Sequence, residues 1–210
     1  PNGEHSLPGG ETCMLYTHVH VRKHQSLRIS TNSPSLMTSG PGIISGNKKT
    51  LLFYIEGVLT LEDLILEDGN SAGGAVLMDG DSANTFVTRT TIRRCEGIEG
   101  GGIKMQRGAM LTMDGATLES NKASKMGGAI FGLGSTLIKV VGAITRIQDN
   151  DGGVLGGGRG TLPWRGSGQA RAAPLAQAGA AREAGSPGSP DRHAPCERGC
   201  TCPVGGGRVC

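Results

Sequence analysis

Ser124–Gly132 reads SKMGGAIFG: a glycine pair, then a small residue, then a β-branched one. That is an unusual way to open a strand, because glycine has no side chain to pack and loses the most backbone entropy on ordering. AGGAVLM at Ala72–Met78 and GGGIKM at Gly100–Met105 repeat the arrangement. Gly73, Gly100 and Gly127 open GGAV, GGGI and GGAI at equal steps of 27 residues. A period in this range marks a solenoid, a propeller or an array.

Each unit holds three short apolar or alternating runs separated by Gly, Asp, Asn or Ser. In the second unit they are GIKM, AMLTMDG and ATLES, and in the third AIFG, TLIKVV and AITRI. Three short strands per unit fit one coil of a parallel β-helix. A helical repeat fits badly, since no run keeps apolar residues at i, i+3 and i+4 and glycine is too frequent. Propeller blades are longer, and the leucine-rich frame is absent.

The recurrent glycines then have a physical role. Successive coils stack at about 4.8 Å, and corners bring their backbones together. Glycine tolerates both close approach and positive φ. Gly73, Gly74, Gly100, Gly101, Gly127 and Gly128 are therefore expected to form a stacked structural corner. A second column aligns Ile92-x-x-Cys95 with Leu118-x-x-Asn121, and Asn70 and Asn150 fall nearby. Asn121 could belong to a hydrogen-bonded ladder along the axis or simply occupy a turn that suits asparagine.

Composition agrees with a narrow aliphatic core. There are 37 glycines among 210 residues and only 3% aromatics, without the Gly-X-Y period of collagen. The net charge of +3 comes from interspersed acids and bases, which gives no reason to expect nucleic acid. No apolar run approaches the roughly 20 residues of a membrane-spanning helix. Pro1 opens the chain with no signal peptide in view, so a missing or processed start is expected.

Upstream, LLFYI, VLTLED and LILED read as an earlier coil, and THVHVRKHQSLRIS (Thr17–Ser30) as two further strands. In the latter, Val19 and Val21 face one side and His18 and His20 the other. Two histidines could clasp a metal, but without a third ligand a solvated strand face is the expectation. Cys13 and Cys95 read as small buried residues. Cys196, Cys200, Cys202 and Cys210 match no zinc template in their spacing.

The chain thus divides into N-terminal strands entering the β-helix (1–41), β-helix repeats (42–151) and a low-complexity tail (152–210). From Gly152 onward there is no Ile, Phe, Tyr, Asn, Lys or Met. Such a segment cannot bury enough surface to offset its ordering entropy and is expected to be disordered.

GGAV, GGGI and GGAI, with LESN between them, resemble the repeats of chlamydial polymorphic outer-membrane proteins, in which Gly-Gly-Ala-Ile alternates with Phe-x-x-Asn. ISGNKKTLLFYIEGVLTLEDLILEDGNSAGGAV resembles the entry segment of that family. Leu118 and Ile92 stand where Phe is usual, Cys95 stands for Asn, and Gly102 for Ala. The resemblance implies an all-β, right-handed parallel β-helix of the pectin-lyase-like kind. It also implies a secreted or cell-surface protein, often adhesive. The leading expectation is then a binding or structural β-helix that presents strand faces and corner loops, with a glycan or a surface protein as partner.

A carbohydrate-active enzyme is the rival reading, because β-helices also carry lyases and hydrolases. Its candidate groups are Asp79, Asp81, Asp114, Glu96 and Glu119, with Arg93, Arg94 or Lys104 as the basic partner. The repeat register does not gather these on one strand face, so no catalytic, cofactor or metal residue is assigned and a non-enzymatic protein is expected. Asp79, Asp81 and Asp114 lie near corners, where solvated turn acids are expected over a calcium or sugar site. A third reading is an incomplete fragment without independent function, since a short stack with open ends would associate through them.

Overall fold

The computed structural model describes residues 2–32, 39–142 and 144–152, and the backbone of Gly168–Arg171. The segment expected to be disordered, 152–210, lies otherwise outside the described residues after Gly152, as do the four C-terminal cysteines.

The chain winds into a parallel β-solenoid. Strands are numbered in chain order and fall into four sheets. Sheet A stacks β1 (Gly3–Pro8), β4 (Ser26–Asn32), β7 (Val58–Glu62), β11 (Asn84–Thr88), β15 (Met110–Asp114) and β19 (Leu137–Val141). Sheet B stacks β2 (Thr12–Met14), β5 (Gly42–Ser45), β8 (Leu64–Glu67), β12 (Thr91–Arg93), β16 (Thr117–Glu119) and β20 (Arg146–Gln148). Sheet C stacks β3 (Val19–Val21), β6 (Phe53–Ile55), β10 (Val76–Asp79), β14 (Ile103–Gln106) and β18 (Ile130–Leu133). Sheet D holds β9 (Asn70–Ser71), β13 (Glu96–Glu99) and β17 (Lys122–Met126). The backbone of β21 (Gly168–Arg171) pairs antiparallel with β19. The strands within 1–41 are rungs of the same sheets A, B and C as the later coils.

A complete coil passes through A, B, D and C in turn, which is four strands rather than the three read from the apolar runs. The fourth strand escapes hydropathy because its inward positions carry almost no apolar side chain: Gly97 pairs with Ala123 there. Alternation elsewhere follows the pleat. Leu27, Leu59, Thr85, Leu111 and Ile138 form one inward column of sheet A. Cys13, Ile44, Leu66, Ile92, Leu118 and Ile147 form that of sheet B. Most of these side chains are fully buried, which makes a narrow aliphatic core.

The 27-residue step holds along sheet C, where Val76, Ile103 and Ile130 are in register. In sheet A, Val58, Asn84 and Met110 are partners at steps of 26. The difference sits in two places. The turn 80–83 is one residue longer than the turn 107–109. A bulge between Gly97 and Glu99 returns the extra residue before sheet C.

The glycine corner lies where sheet D hands the chain to sheet C. Gly101 and Gly102 donate to the carbonyls of Gly127 and Gly128 one coil on, and Ala75 donates to Gly102. A Cβ on Gly101 would lie 2.6 Å from the Lys122 backbone, and one on Gly128 2.6 Å from that of Asp151. Close approach therefore explains the second glycine of these pairs. The first glycines, Gly100 and Gly127, turn with φ of +70° and +67°. In the earliest pair the roles shift: Gly74 takes the positive φ, +64°, and Gly73 does not.

Two further corners stack in the left-handed region. Asp63, Arg89, Gly115 and Gly142 turn from sheet A to sheet B, and Asp68, Arg94, Ser120 and Asp149 turn from sheet B to the next corner. Arginine is uncommon at positive φ. Here each arginine is held by acids one coil below. Arg89 grips Asp63 through two bonds of 2.7 and 2.8 Å. Arg94 reaches Glu67 at 2.7 Å and Asp68 at 3.4 Å, and Arg93 joins Glu67 at 2.8 Å.

Candidate functional site

Polar side chains of mixed chemistry gather on the outer face of sheet C. Parallel register places His20, Tyr54, Leu77, Lys104 and Phe131 in one outward column. The alternate residues, from Val19 and Val21 to Ile103 and Met105, are buried. The inward anchors thus fix the spacing of the outward groups.

Tyr54 is the centre of this face. Its ring centroid lies 4.8 Å from that of His20 and 6.3 Å from that of His18, which meets it edge-on. Nε2 of His20 lies 2.9 Å from Oε2 of Glu56. The Tyr54 hydroxyl donates to Oδ2 of Asp79 at 3.0 Å. Arg107 closes on both oxygens of the same carboxylate with Nε and Nη2. Lys104, further along the column, pairs with Glu99 at 2.9 Å.

The Asp79 side chain is only 3% exposed. Burial alone would push its carboxyl up. Hydrogen bonds from Arg107, Gln106 and Tyr54, with the charge of Arg107, overcome this and hold it below the usual carboxylate range. The Tyr54 phenol is pushed up, first by burial and then by its bond to Asp79 and the charges of Asp79 and Glu56. Asp79 is thus an ionised acceptor with its donors already in place. Tyr54 is a neutral ring clamped at its hydroxyl end.

The acids weighed for an enzyme are dispersed around the solenoid. Asp79 lies on sheet C, Asp114 ends β15 on sheet A, Glu119 ends β16 on sheet B and Glu96 opens β13 on sheet D. Asp81 sits in the turn between sheets C and A, beside Ser82. Arg93 and Arg94 are taken up by Glu67, and Lys104 by Glu99. Among the described residues no group of three or more His, Cys, Asp and Glu could hold a metal ion. Among the same residues no helix is long and apolar enough to cross a membrane.

Asn121 lies fully inside the corner after sheet B. Its Oδ1 accepts from the Cys95 backbone N–H at 3.1 Å, and its Nδ2 donates to the Ile92 carbonyl at 2.9 Å. Asn150 repeats the arrangement one coil on. The ladder therefore exists, with Cys95 as its third rung. Asn70 is not part of it. That residue stands one position past the column, paired with Glu96, and its exposed side chain donates to the Lys48 carbonyl. Gly69 fills the column position instead and donates to the Cys95 sulfur.

His18 and His20 were visible in the sequence, whereas Tyr54, Glu56 and Arg107 were not read as a group with them. The period could not reveal it. Val19 and Phe53 are partners 34 residues apart, but Phe53 and Val76 only 23 apart, so the early coils break the 27-residue step. Comparison with known proteins leaves the chain alone: no family model, no curated protein and no solved structure matches it.

Proposed function

We propose that this chain is a non-enzymatic binding solenoid of a secreted or cell-surface protein, and that the outer face of sheet C receives its ligand, a glycan or a glycan-bearing surface protein. The observation that carries this reading is the Tyr54 cluster. An aromatic ring with two imidazoles lies beside carboxylates and an arginine, all on sheet C strands or one residue beyond their ends, and the inward residues of those strands are locked in the core. Rings for contact and polar groups for direction are the usual makings of a recognition surface. The Gly-Gly-Ala-Ile-like corners and the internal asparagine column support a kinship with polymorphic outer-membrane repeats, and so a surface location.

Binding is favoured over hydrolysis by the state of Asp79. A general acid must carry a proton near neutral pH. Asp79 is held ionised by three donors, and Asp114, Glu119 and Glu96 stand on sheets A, B and D.

The test is a panel of immobilised glycans probed with the full chain, followed by hydrogen–deuterium exchange with the best binder. Slowed exchange confined to Val19–Val21, Phe53–Ile55 and Val76–Asp79 is expected. Protection mapping to sheets A or B, or no binding across the panel, would overturn the assignment.

A further inference from the structure

We propose that His18, His20 and Tyr54, with Glu56 beside them, form a seat for an ammonium group carried by the ligand. This rests on the reading of sheet C as the binding face and adds the chemistry that the face selects.

Geometry separates an ammonium seat from a platform for neutral sugar. A neutral sugar ring stacks on one flat, open aromatic face. Here the three rings are mutually inclined: 54° between His18 and His20, 78° between His18 and Tyr54, and 55° between His20 and Tyr54. His20 lies inclined against Tyr54, so the trio does not present one flat shared platform. The centroids instead form a compact triangle with sides of 4.8, 6.3 and 6.4 Å. A small rounded cation resting over that triangle lies within the roughly 6 Å reach of cation–π attraction from Tyr54, with the two imidazoles beside it.

The electrostatics agree. Glu56 carries its carboxylate at the edge of the trio, bonded to His20 and with 37% of its side chain open to solvent. Arg107, the cation of this cluster, is spent on Asp79. The Tyr54 phenol is pushed up first by burial and then by its bond to Asp79, and the charges of Asp79 and Glu56 add to the rise. His18 is exposed, and His20 and Tyr54 are half-buried, so the trio is accessible from solvent.

Two natural sources carry such a group: a glycan containing free amino sugar, and a choline headgroup. Calorimetry on the full chain with three probes separates them. The probes are a glucosamine oligomer, the same oligomer N-acetylated, and choline chloride. The expected result is that the glucosamine oligomer binds roughly tenfold more tightly than its acetylated form. Tyr54→Ala should abolish the difference, Tyr54→Phe should keep most of it, and Glu56→Gln should reduce it. Circular dichroism of each variant checks that the solenoid is intact, and Glu4→Gln on sheet A should change nothing.

Binding of choline with neither oligomer would support the seat, assign a choline ligand and overturn the glycan reading. Equal or tighter binding of the acetylated oligomer would overturn the seat while leaving sheet C as a glycan face. No binding by any probe would overturn both.

Discussion

Oδ1 of Asn150 lies 3.0 Å from both the backbone nitrogen and Nδ2 of Asn121, so one side-chain carbonyl accepts two bonds from the coil before it. Asn121 in turn serves the backbone of Cys95 and Ile92. These contacts are buried, and a buried amide or carbonyl left without a partner costs about 1–3 kcal/mol. Asn121→Ala strips partners from two backbone groups and should therefore destabilise the solenoid by about 2–4 kcal/mol. Cys95→Asn should act in the other direction. Its amide can take the Gly69 N–H that now meets a sulfur at 3.4 Å, for a gain near 1 kcal/mol. Urea denaturation of the two variants checks both signs, and a loss of stability in Cys95→Asn would show that the third rung lacks room for an amide.

Cys95 itself should be chemically silent in the folded protein. Its side chain is fully buried, and burial pushes its thiol up to about 12. The thiolate is the nucleophile, so a neutral, enclosed thiol resists alkylation. Iodoacetamide at pH 8 followed by peptide mass spectrometry should leave Cys95 unmodified until denaturant is added. Rapid native labelling would mean that the corner opens locally far more readily than the core strands.

Thr85 interrupts an inward column of leucines. It stands between Leu59 and Leu111 on sheet A, and its buried hydroxyl has no hydrogen-bond partner. Valine has nearly the same shape without the stranded oxygen. Thr85→Val should raise stability by about 1 kcal/mol, because an unpaired buried hydroxyl is costly. A lower unfolding midpoint would imply that the hydroxyl has a partner such as an internal water.

How much of this could be read beforehand follows from what each feature leaves in the chain. The coil was legible because Gly100 and Gly127, and the branched residues after them, recur in sheet C at a fixed step. The asparagine column was half legible. Asn121 and Asn150 carry the side chain, but Cys95 and Gly69 occupy equivalent places without it, and Asn70 is a one-residue decoy. Sheet D was hidden because Gly97 and Ala123 leave no apolar mark. The Tyr54 cluster was hidden because early coils of unequal length separate residues that the register then brings side by side. Charge columns such as Glu67 with Arg93 were readable in principle as opposite signs 26 residues apart, a signal that hydropathy ignores.

Acid should weaken the fold through Asp79. Its folded carboxyl lies below the usual carboxylate range, so the unfolded chain takes up a proton at higher pH than the folded one. The stabilisation this provides is complete above the unfolded value near 3.9 and is lost as pH falls through the folded one. Between pH 7 and 5 the contribution should be flat. Below about pH 4 unfolding should become easier, and Asp79→Asn should remove part of that acid sensitivity while lowering stability at pH 7. The cost at neutrality should be about 1.5–3 kcal/mol, because the variant gives up charge-assisted bonds at a buried site. Thermal unfolding of wild type and variant from pH 7 down to 3 tests this directly. Parallel pH profiles for the two proteins would show that Asp79 does not govern the acid response.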